Sequence, residues 1–398
     1  MARPDPRSTR VEIDPKAARA VLRGHPWIWR EAIRKAPAGL PDGTAVLVCT
    51  RDQPFLGWAL WDHESPIALR MYGGTQDRPL DAEGIAQSAE HALALRDRMF
   101  DLQSTDAFRL CNGEGDRVPG LVIDRYGPVA VVRFDGSAIL RWSEAIVEAL
   151  TPRLRSRGID CVAVRDPGRG GGMRGVVGRK VPSTVDVREH GMRMQVDLEH
   201  GQKTGAFLDQ RENRRRVRGL SHGARVLNLF SYAGGFSCAA AIGGALEVTS
   251  VDIAHGAHGT AHKTFSLNGL DPAQHLFVTS DVFSFLERAA SRRERWDLVI
   301  SDPPSFAHNE RTLTKALGAY RKLHAACSKV LGPSGALCAS SCSSHVDHEA
   351  FLQTLDDETL GAGRFVVSEV WGQPEDHPSP PCFPEGRYLK FVVLRDRG

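Results

Sequence analysis

Two side chains with catalytic chemistry each follow a predicted strand late in the chain. Asp302 begins Asp302-Pro303-Pro304 directly after the strand predicted at 298–301, and Cys342 follows the strand predicted at 336–340. The carboxyl ends of parallel strands meet at one edge of an α/β sheet, where ligands of such folds bind. We therefore expect both side chains to border one pocket, where a carboxylate can handle a proton and a thiol can act as a nucleophile.

Cys342 has two alternative interpretations. One is a buried, inert thiol, because free cysteines are among the most buried residues. The other is structural zinc, since four potential ligands cluster here: Cys338, Cys342, His345 and His348. Cys338, however, falls inside a predicted buried strand, and no paired C-x-x-C motif accompanies it. We expect no metal.

A turn between a strand and a helix predicts a cofactor site. The segment Asn228-Leu-Phe-Ser-Tyr-Ala-Gly-Gly-Phe-Ser237 follows the strand at 226–229, and its glycines would let a ligand approach the backbone. It lacks the G-x-G-x-x-G pattern, which disfavours a pyrophosphate cradle. We expect a nucleoside-containing cofactor to be held by Phe230, Ser231, Tyr232, Gly234 and Gly235.

Two aspartates extend this predicted site. Asp252 ends the strand at 248–251 and could accept hydrogen bonds from both ribose hydroxyls, while Asp281 follows the strand at 276–279, near an adenine edge. Either residue could instead be a helix N-cap. Their occurrence in the order that the sheet requires favours a cofactor.

Strands and helices alternate from residue 225 onward, which predicts a doubly wound parallel sheet. After the strand at 365–371 the chain reaches 388–394 through a proline-rich loop without a helix, so the last strand should be antiparallel. This ending is not typical of a dinucleotide dehydrogenase.

The preceding half predicts two smaller domains. Short apolar runs at 46–48, 55–60 and 67–71, separated by proline and glycine turns, indicate a β-barrel, and a helix should span 81–100. Strands and a helix then mix up to residue 198, around a glycine-rich loop at 166–175 that is a connector or an RNA contact. We predict a barrel over 1–75, an α+β domain over 76–198 and the α/β domain over 199–398.

Composition bounds the class of protein. A chain of 398 residues exceeds what one core organises, and 41% hydrophobic with 25% charged residues is typical of a soluble globular protein. The first ten residues lack the apolar core of a signal peptide, and no apolar stretch could span a bilayer, so we expect a cytoplasmic protein without a membrane partner. Its 8 cysteines show no repeated spacing, which indicates free thiols.

Basic residues are unevenly distributed although the net charge is only +3. One cluster comprises Arg153, Arg155, Arg157, Arg165, Arg169, Arg174, Arg179 and Lys180, and a second comprises Arg211, Arg214, Arg215, Arg216 and Arg218. Either cluster could meet RNA phosphates or form an ordinary solvated face.

Three further segments narrow the class: Gly201-Gln-Lys-Thr-Gly-Ala-Phe-Leu-Asp-Gln-Arg211, Ser301-Asp-Pro-Pro-Ser-Phe306 and Ser340-Ser-Cys-Ser-Ser344. With the glycine turn and the antiparallel last strand, the C-terminal half resembles the class I S-adenosylmethionine methyltransferases. The ordered set resembles the bacterial large-subunit ribosomal RNA cytosine-C5 methyltransferases of the RlmI type. Gly24-His-Pro-Trp27 and Pro119-Gly-Leu-Val-Ile-Asp-Arg-Tyr126 extend this resemblance over nearly the whole chain.

The resemblance implies a class I (Rossmann-like) methyltransferase domain preceded by an N-terminal β-barrel PUA domain and a central α+β domain. It implies S-adenosylmethionine as cofactor and RNA, 23S ribosomal RNA, as partner. It also implies that Lys203, Thr204 and Asp209 border the cofactor together with Asp302, although Lys203 could be a surface cation. The sequence allows a homodimer without establishing an oligomeric state.

Within this family, the resemblance implies catalytic roles for Cys342 and Asp302. C5 of a cytosine is a poor nucleophile until a thiolate adds to C6, and Cys342 would form that bond. Asp302 would hold the base and stabilise or protonate N3, which as a proton donor would require a raised pKa. The segment Ser301-Asp-Pro-Pro-Ser-Phe306 contains no cysteine, so a single cysteine would serve.

Three alternatives remain at this point. A guanine-N7 or other nitrogen methyltransferase would share the Gly-x-Lys-Thr-Gly segment, but would not need Cys342. A non-catalytic protein that binds S-adenosylmethionine and RNA would need none of the reactive groups. A small-molecule methyltransferase would leave two accessory domains with basic clusters unexplained.

Overall fold

The computed structural model describes residues 9–166, 172–178, 180–306 and 310–397. Two compact units share the chain. The first comprises Met1–Val185, Asp197–Ala206 and Glu375–Gly386, and the second comprises Asp186–Val196, Phe207–Pro374 and Arg387–Gly398. Most of the predicted N-terminal polar segment, part of the glycine-rich loop at 166–175, and Arg169 and Arg179 of the first basic cluster lie outside the described residues. None of the described helices combines the length and the apolar character of a membrane span.

A six-stranded sheet forms the first part of unit 1. Its elements are β1 (Arg10–Ile13), α1 (Pro15–Leu22), β2 (Trp27–Trp29), β3 (Ile33–Lys35), β4 (Ala45–Cys49), β5 (Gly57–Trp61) and β6 (Ile67–Gly73). The strand order is β2-β6-β5-β4-β1-β3. The three strands predicted from apolar runs are β4, β5 and β6. Asp14 caps α1 by accepting a hydrogen bond from Ala17 N at 2.7 Å.

A five-stranded sheet forms the second part, in the order β11-β10-β9-β8-β7. Its elements are α2 (Ala82–Met99), β7 (Ala107–Asn112), β8 (Leu121–Tyr126), β9 (Val129–Phe134), α3 (Ser137–Leu140), α4 (Ser143–Arg155), β10 (Cys161–Arg165) and β11 (Met173–Gly178). A hairpin of β12 (Thr184–Glu189) and β13 (Met192–Asp197) follows. The helix predicted at 81–100 is α2, with Asp81 as its N-cap.

Three arginines of the first basic cluster have partners within unit 1. Arg157 Nη2 lies 2.6 Å from Glu90 Oε1 and its Nε lies 2.9 Å from Asp97 Oδ2. Arg153 also pairs with an acidic residue of α2, Glu83. Buried Arg165 donates to Leu198 O at 2.8 Å. The charges and donors of these three arginines are therefore paired within unit 1, and a phosphate contact by them stays a prediction.

A seven-stranded sheet organises unit 2. Its strands and helices are α5 (Arg211–Leu220), β14 (Arg225–Leu229), α6 (Gly235–Ile242), β15 (Glu247–Asp252), α7 (His255–Leu267), β16 (Leu276–Thr279), α8 (Val282–Ser291), β17 (Trp296–Ser301), α9 (Leu313–Val330), β18 (Leu331–Ser341), α10 (His348–Leu352), α11 (Asp357–Leu360), β19 (Phe365–Trp371) and β20 (Lys390–Asp396). The strand order is β16-β15-β14-β17-β18-β20-β19. Strands β14 to β18 pair in parallel, whereas β20 is antiparallel to β18 and β19. The predicted doubly wound sheet with an antiparallel last strand is confirmed.

The central strands of this sheet are buried on both faces. β17 carries the apolar run Leu298, Val299 and Ile300, each at most 1% exposed, and β14 buries Val226, Leu227 and Leu229, as parallel strands covered by helices require. The chain order reverses between β14 and β17, since β15 lies on one side of β14 and β17 on the other. A crevice at the carboxyl ends of β14, β15, β17 and β18 follows from this reversal.

Helix α5 contains the second basic cluster, of which only part faces solvent. Arg211 is 0% exposed, and buried Arg214 donates to Glu189 Oε1 at 2.7 Å. Arg216 stacks on the Trp371 ring, with its guanidinium carbon 3.2 Å from the ring centroid. Of these five arginines only Arg215 and Arg218 are exposed, so they are the two most accessible to RNA phosphates, and that contact stays a prediction.

Buried Arg96 joins three segments of unit 1. Its guanidinium binds both oxygens of Asp116, at 2.7 and 2.8 Å, and donates to Asp376 O at 2.8 Å. In the same segment, Asp376 Oδ2 accepts from Arg109 N at 2.9 Å and Pro378 O accepts from Asn112 Nδ2 at 2.8 Å. Residues 375–386 are thus fixed to the first unit by hydrogen bonds.

We expect Arg96→Ala to destabilise unit 1 by about 3–5 kcal/mol, because it leaves the Asp116 carboxylate buried without its cation. The measurement is urea denaturation followed by tryptophan fluorescence, which reports mainly this unit through Trp27, Trp29, Trp58, Trp61 and Trp142. The control is Arg98→Ala on the exposed side of α2, which should change stability by no more than about 0.5 kcal/mol. Equal effects of the two variants would contradict the assignment.

Candidate active site

The turn after β14 adopts left-handed backbone at three positions. The φ angles are 57° at Phe230, 45° at Tyr232 and 75° at Gly234. Ser231 N donates to Val251 O at 3.0 Å, which ties the turn to β15. A Cβ atom on Gly234 would lie 2.7 Å from Ala261 Cβ, so glycine is required there on both conformational and steric grounds.

Asp252 stands at the end of β15, beside this turn. Its Oδ2 accepts a hydrogen bond from Tyr232 N and its Oδ1 accepts one from Ala254 N, each at 2.8 Å. Two backbone amides therefore fix the orientation of a half-buried carboxylate. Each carboxylate oxygen has a second lone pair with which to accept a hydroxyl hydrogen bond.

Two neighbouring groups make the turn suitable for a nucleoside. Ser231 Oγ is buried and has no hydrogen-bond partner among the described residues. Ile253, directly after Asp252, is 74% exposed and offers an apolar surface at the sheet edge. A buried polar atom, an oriented acceptor and an exposed apolar side chain together fit a ribose and a base. Ile253 could not be predicted from the sequence, because only its exposure distinguishes it from a core residue.

Asp281 lies two residues beyond the end of β16 and is exposed. Its Oδ1 accepts from Ser284 N at 2.9 Å, which makes it the N-cap of α8. Asp281 is thus a helix N-cap, the alternative that the sequence left open, and its contact with adenine stays a prediction.

Asp302 follows the last residue of β17 and is held by Gln210. Gln210 Nε2 donates to Asp302 Oδ1 at 3.0 Å and to Ser340 Oγ at 3.0 Å. Gln210 Oε1 accepts from Asn213 Nδ2 at 2.6 Å, so the amide presents its NH₂ group to the carboxylate. The 3% exposed Gln210 therefore connects Asp302 to the end of β18. It lies inside the 201–211 segment, but its role was not predicted.

Cys342 follows β18 directly, and its loop is bonded to the loop of Asp302. Ser305 Oγ and Ser343 Oγ lie 2.9 Å apart. Buried Tyr320 donates to Ser341 Oγ at 2.9 Å and lies 3.0 Å from Ser343 Oγ. Burial raises the pKa of Tyr320, and the nearby charges of Cys342 and Asp302 raise it further. The structure thus brings Asp302 and Cys342 around one tyrosine.

Exposure separates Cys342 from most other cysteines. Cys342 and Cys382 are partly exposed, whereas the other six are buried. Cys338 is 0% exposed in β18, and burial raises its pKa to about 12, which keeps it an unreactive thiol. Among the described residues no three histidine, cysteine, aspartate or glutamate side chains are grouped as metal ligands.

The three residues implied by the Gly201–Arg211 resemblance lie in different surroundings. Thr204 belongs to unit 1, where its buried hydroxyl donates to Asp124 Oδ2 at 2.6 Å and lies 2.8 Å from Tyr126 Oη. Lys203, also of unit 1, has left-handed backbone with φ 55°. In unit 2, Asp209 Oδ2 accepts from Tyr388 Oη at 2.8 Å. Their contact with a cofactor stays a prediction.

Comparison with known families defines the class of this chain. The family model for S-adenosylmethionine-dependent methyltransferases matches residues 174–380. The model for a PUA-like domain matches residues 11–73, which confirms the domain predicted at the N-terminus. The chain is thus an S-adenosylmethionine-dependent methyltransferase with an N-terminal PUA-like domain, and S-adenosylmethionine is its cofactor.

Similar proteins specify the family. Ribosomal RNA large subunit methyltransferase I of Erwinia tasmaniensis is 34% identical over 382 residues, covering 95% of this chain and 96% of the relative. Ribosomal RNA large subunit methyltransferase of Deinococcus radiodurans is 38% identical over 400 residues, covering 97% of each. A solved structure, the methyltransferase SMU.776 complexed with S-adenosylhomocysteine, is 26% identical with a TM-score of 0.86 and covers 97% of this chain and 99% of its own. The chain belongs to the ribosomal RNA large subunit methyltransferase I family.

We expect Asp252→Ala to weaken S-adenosylmethionine binding by about 1–3 kcal/mol, because it removes acceptors for the ribose hydroxyls. Isothermal titration calorimetry measures the loss. The matched control is Asp271→Ala, since Asp271 is an exposed cap that precedes β16 rather than following a strand. Unchanged affinity in Asp252→Ala would remove this residue from the site.

Proposed function

We propose that this enzyme methylates C5 of a cytosine in 23S ribosomal RNA and that Cys342 forms a covalent adduct with the base. The observation that carries the proposal is the partly exposed Cys342 at the end of β18, beside the loop of Asp302. A nitrogen methyltransferase needs no such thiol. The names of the full-length relatives, large subunit ribosomal RNA methyltransferases, support the RNA substrate.

Most of the cofactor residues proposed here follow the strands β14 to β17, and Lys203, Thr204 and Asp209 are added from the family resemblance. Asp252 would accept the ribose hydroxyls, and the buried Ser231 hydroxyl would gain a partner. We place Phe230, Tyr232, Gly234, Gly235, Asp281, Asp302, Asp209, Lys203 and Thr204 at or beside the same ligand. When bound, S-adenosylmethionine supplies an electrophilic methyl group.

In the proposed reaction the Cys342 thiolate adds to C6 of the cytosine, and N3 takes a proton from Asp302 as electrons move onto the ring. C5 then takes the methyl group. Water takes the C5 proton, elimination of the thiolate restores the C5–C6 double bond, and N3 returns its proton to Asp302. Gln210 serves this sequence by fixing the direction of the Asp302 carboxylate.

RNA recognition is assigned to the N-terminal part of the chain. We propose the PUA-like domain, within residues 1–75, and the α+β domain, within 76–198, as RNA-binding modules of a cytoplasmic enzyme whose methyltransferase domain spans 199–398. The PUA-like match at residues 11–73 supports this division.

RNA that carries 5-fluorocytosine at the target position should become covalently attached to the enzyme. Fluorine cannot leave C5 as a proton does, so elimination of the thiolate stalls after methyl transfer. Cys342→Ala should abolish both the adduct and methylation while S-adenosylmethionine binding is retained. Denaturing gel electrophoresis and mass spectrometry of the attached peptide measure the adduct.

The matched control is Cys382→Ala, because Cys382 is the other partly exposed cysteine. It should leave the adduct intact, as should Cys338→Ala in the buried strand. Near-normal methylation by Cys342→Ala would instead favour methylation of a ring nitrogen.

RNA affinity should fall steeply as salt rises, because bound cations release phosphate counterions. Exposed Arg215 should account for one contact, so that Arg215→Ala lowers the slope of log affinity against log salt by about 1. Lys329→Ala, an exposed cation at the end of α9, should leave the slope unchanged. A flat titration with the unmodified enzyme would count against an RNA substrate.

A further inference from the structure

Lys390 is a buried cation beside the proposed nucleophile. It is 0% exposed and begins β20, where it pairs with Ser341, the residue before Cys342. Because β20 is antiparallel to β18, the amino end of β20 meets the carboxyl end of β18, where Cys342 stands. The topology therefore delivers a lysine to the ligand-binding edge of the sheet.

The ammonium group is anchored without a counter-ion. Its Nζ donates to Ser343 O at 2.6 Å and to Tyr388 O at 2.8 Å. Among the residues that the structure describes, no carboxylate lies within ion-pair distance of Lys390. Two neutral carbonyls satisfy two of its three donors, but they do not neutralise its charge. A buried charge is costly unless an opposite charge accompanies it.

Several groups lie near this ammonium: Cys342 at the end of β18, Asp347 and His348 at the start of α10, and Tyr388 before β20. Arg387, also before β20, acts on His348. Burial lowers the pKa of Lys390 to about 8, while the charges of Cys342 and then Asp347 act to raise it. Burial and then the Lys390 charge lower the pKa of His348. Asp347 is an exposed helix cap, so Cys342, whose effect is the larger of the two, is the main nearby group that can supply a negative charge.

We propose that Lys390 is a positioning residue that stabilises the Cys342 thiolate, an inference that rests on the proposed role of Cys342 as the nucleophile. The Cys342 S–H gives its proton to water, Lys390 stays protonated, and the resulting thiolate and ammonium form a pair. The Nζ bond to Ser343 O also fixes the backbone just beyond Cys342. In this role Lys390 forms no bond with the substrate. It acts on the reaction by raising the fraction of Cys342 that is present as thiolate.

The test measures the thiol itself in the full-length enzyme without RNA. Alkylation of Cys342 by iodoacetamide is followed against pH, with the Cys342 peptide quantified by mass spectrometry. In Lys390→Met the midpoint of the profile should move up by about one pH unit, which corresponds to about tenfold slower alkylation at neutral pH. Lys390→Arg retains the cation and should stay close to the unmodified enzyme.

Two comparisons keep this test decisive. Lys329→Met, at an exposed lysine of α9, should leave the profile unchanged. If Lys390→Met does not fold by circular dichroism, Lys390→Gln replaces it, since glutamine retains a donor for the Ser343 carbonyl but has no charge. Equal midpoints for the neutral variant and the unmodified enzyme would overturn the proposal, as would the same upward shift in the neutral and arginine variants.

Two measurements distinguish an error in the role of Lys390 from an error in the proposed function. An unmoved thiol profile together with an intact 5-fluorocytosine adduct would reject the role of Lys390 alone. A missing adduct would reject the nucleophile, whatever the thiol profile. The acid limb of the methylation rate should follow the same shift as alkylation in Lys390→Met.

Discussion

The parallel pairing of β14, β15, β17 and β18 is the constraint on which the rest of the site depends. It places the residues after each strand at one edge, and the reversal of strand order opens the crevice between them. Asp252, Asp302 and Cys342 are therefore neighbours of one crevice although they are far apart in the chain. Strand β20 runs antiparallel to its neighbour β18. Its first residue, Lys390, therefore lies at the edge of the sheet where the parallel strands end.

Around this edge, polar side chains are arranged as supports for a few reactive groups. Gln210 holds Asp302, Tyr320 and Ser343 connect the two loops, and backbone amides orient Asp252. Most of these supporting groups are buried, so their donors and acceptors are paired within the protein. The groups proposed to meet a ligand, Asp252, Asp302 and Cys342, are only partly buried.

The parts of the site that depend on local sequence could be predicted, and the parts that depend on distant pairing could not. A residue at the end of an apolar strand is visible in the sequence, which is why the positions of Asp252, Asp302 and Cys342 at strand ends could be predicted. Gln210 and Lys390 act through partners 92 and 47 positions away, and no periodicity encodes such contacts. The ion pairs of Arg153 and Arg157 could not be predicted for the same reason, since these arginines meet acids 70 and 67 positions away on α2. Strands β1 to β3 have only three or four residues, too few to show an alternation.

The segment 375–386 leaves the second unit, bonds to Arg96, Arg109 and Asn112 of the first, and then returns as β20. During synthesis on the ribosome, the first unit therefore cannot complete its interior when its own strands have emerged, because the bonds to Asp376 and Pro378 form only after residues 375–386 have emerged. Lys390, at the start of β20, follows this segment closely in the chain. Completion of the first unit and the arrival of Lys390 at the end of β18 therefore both depend on the same late stretch of the growing chain.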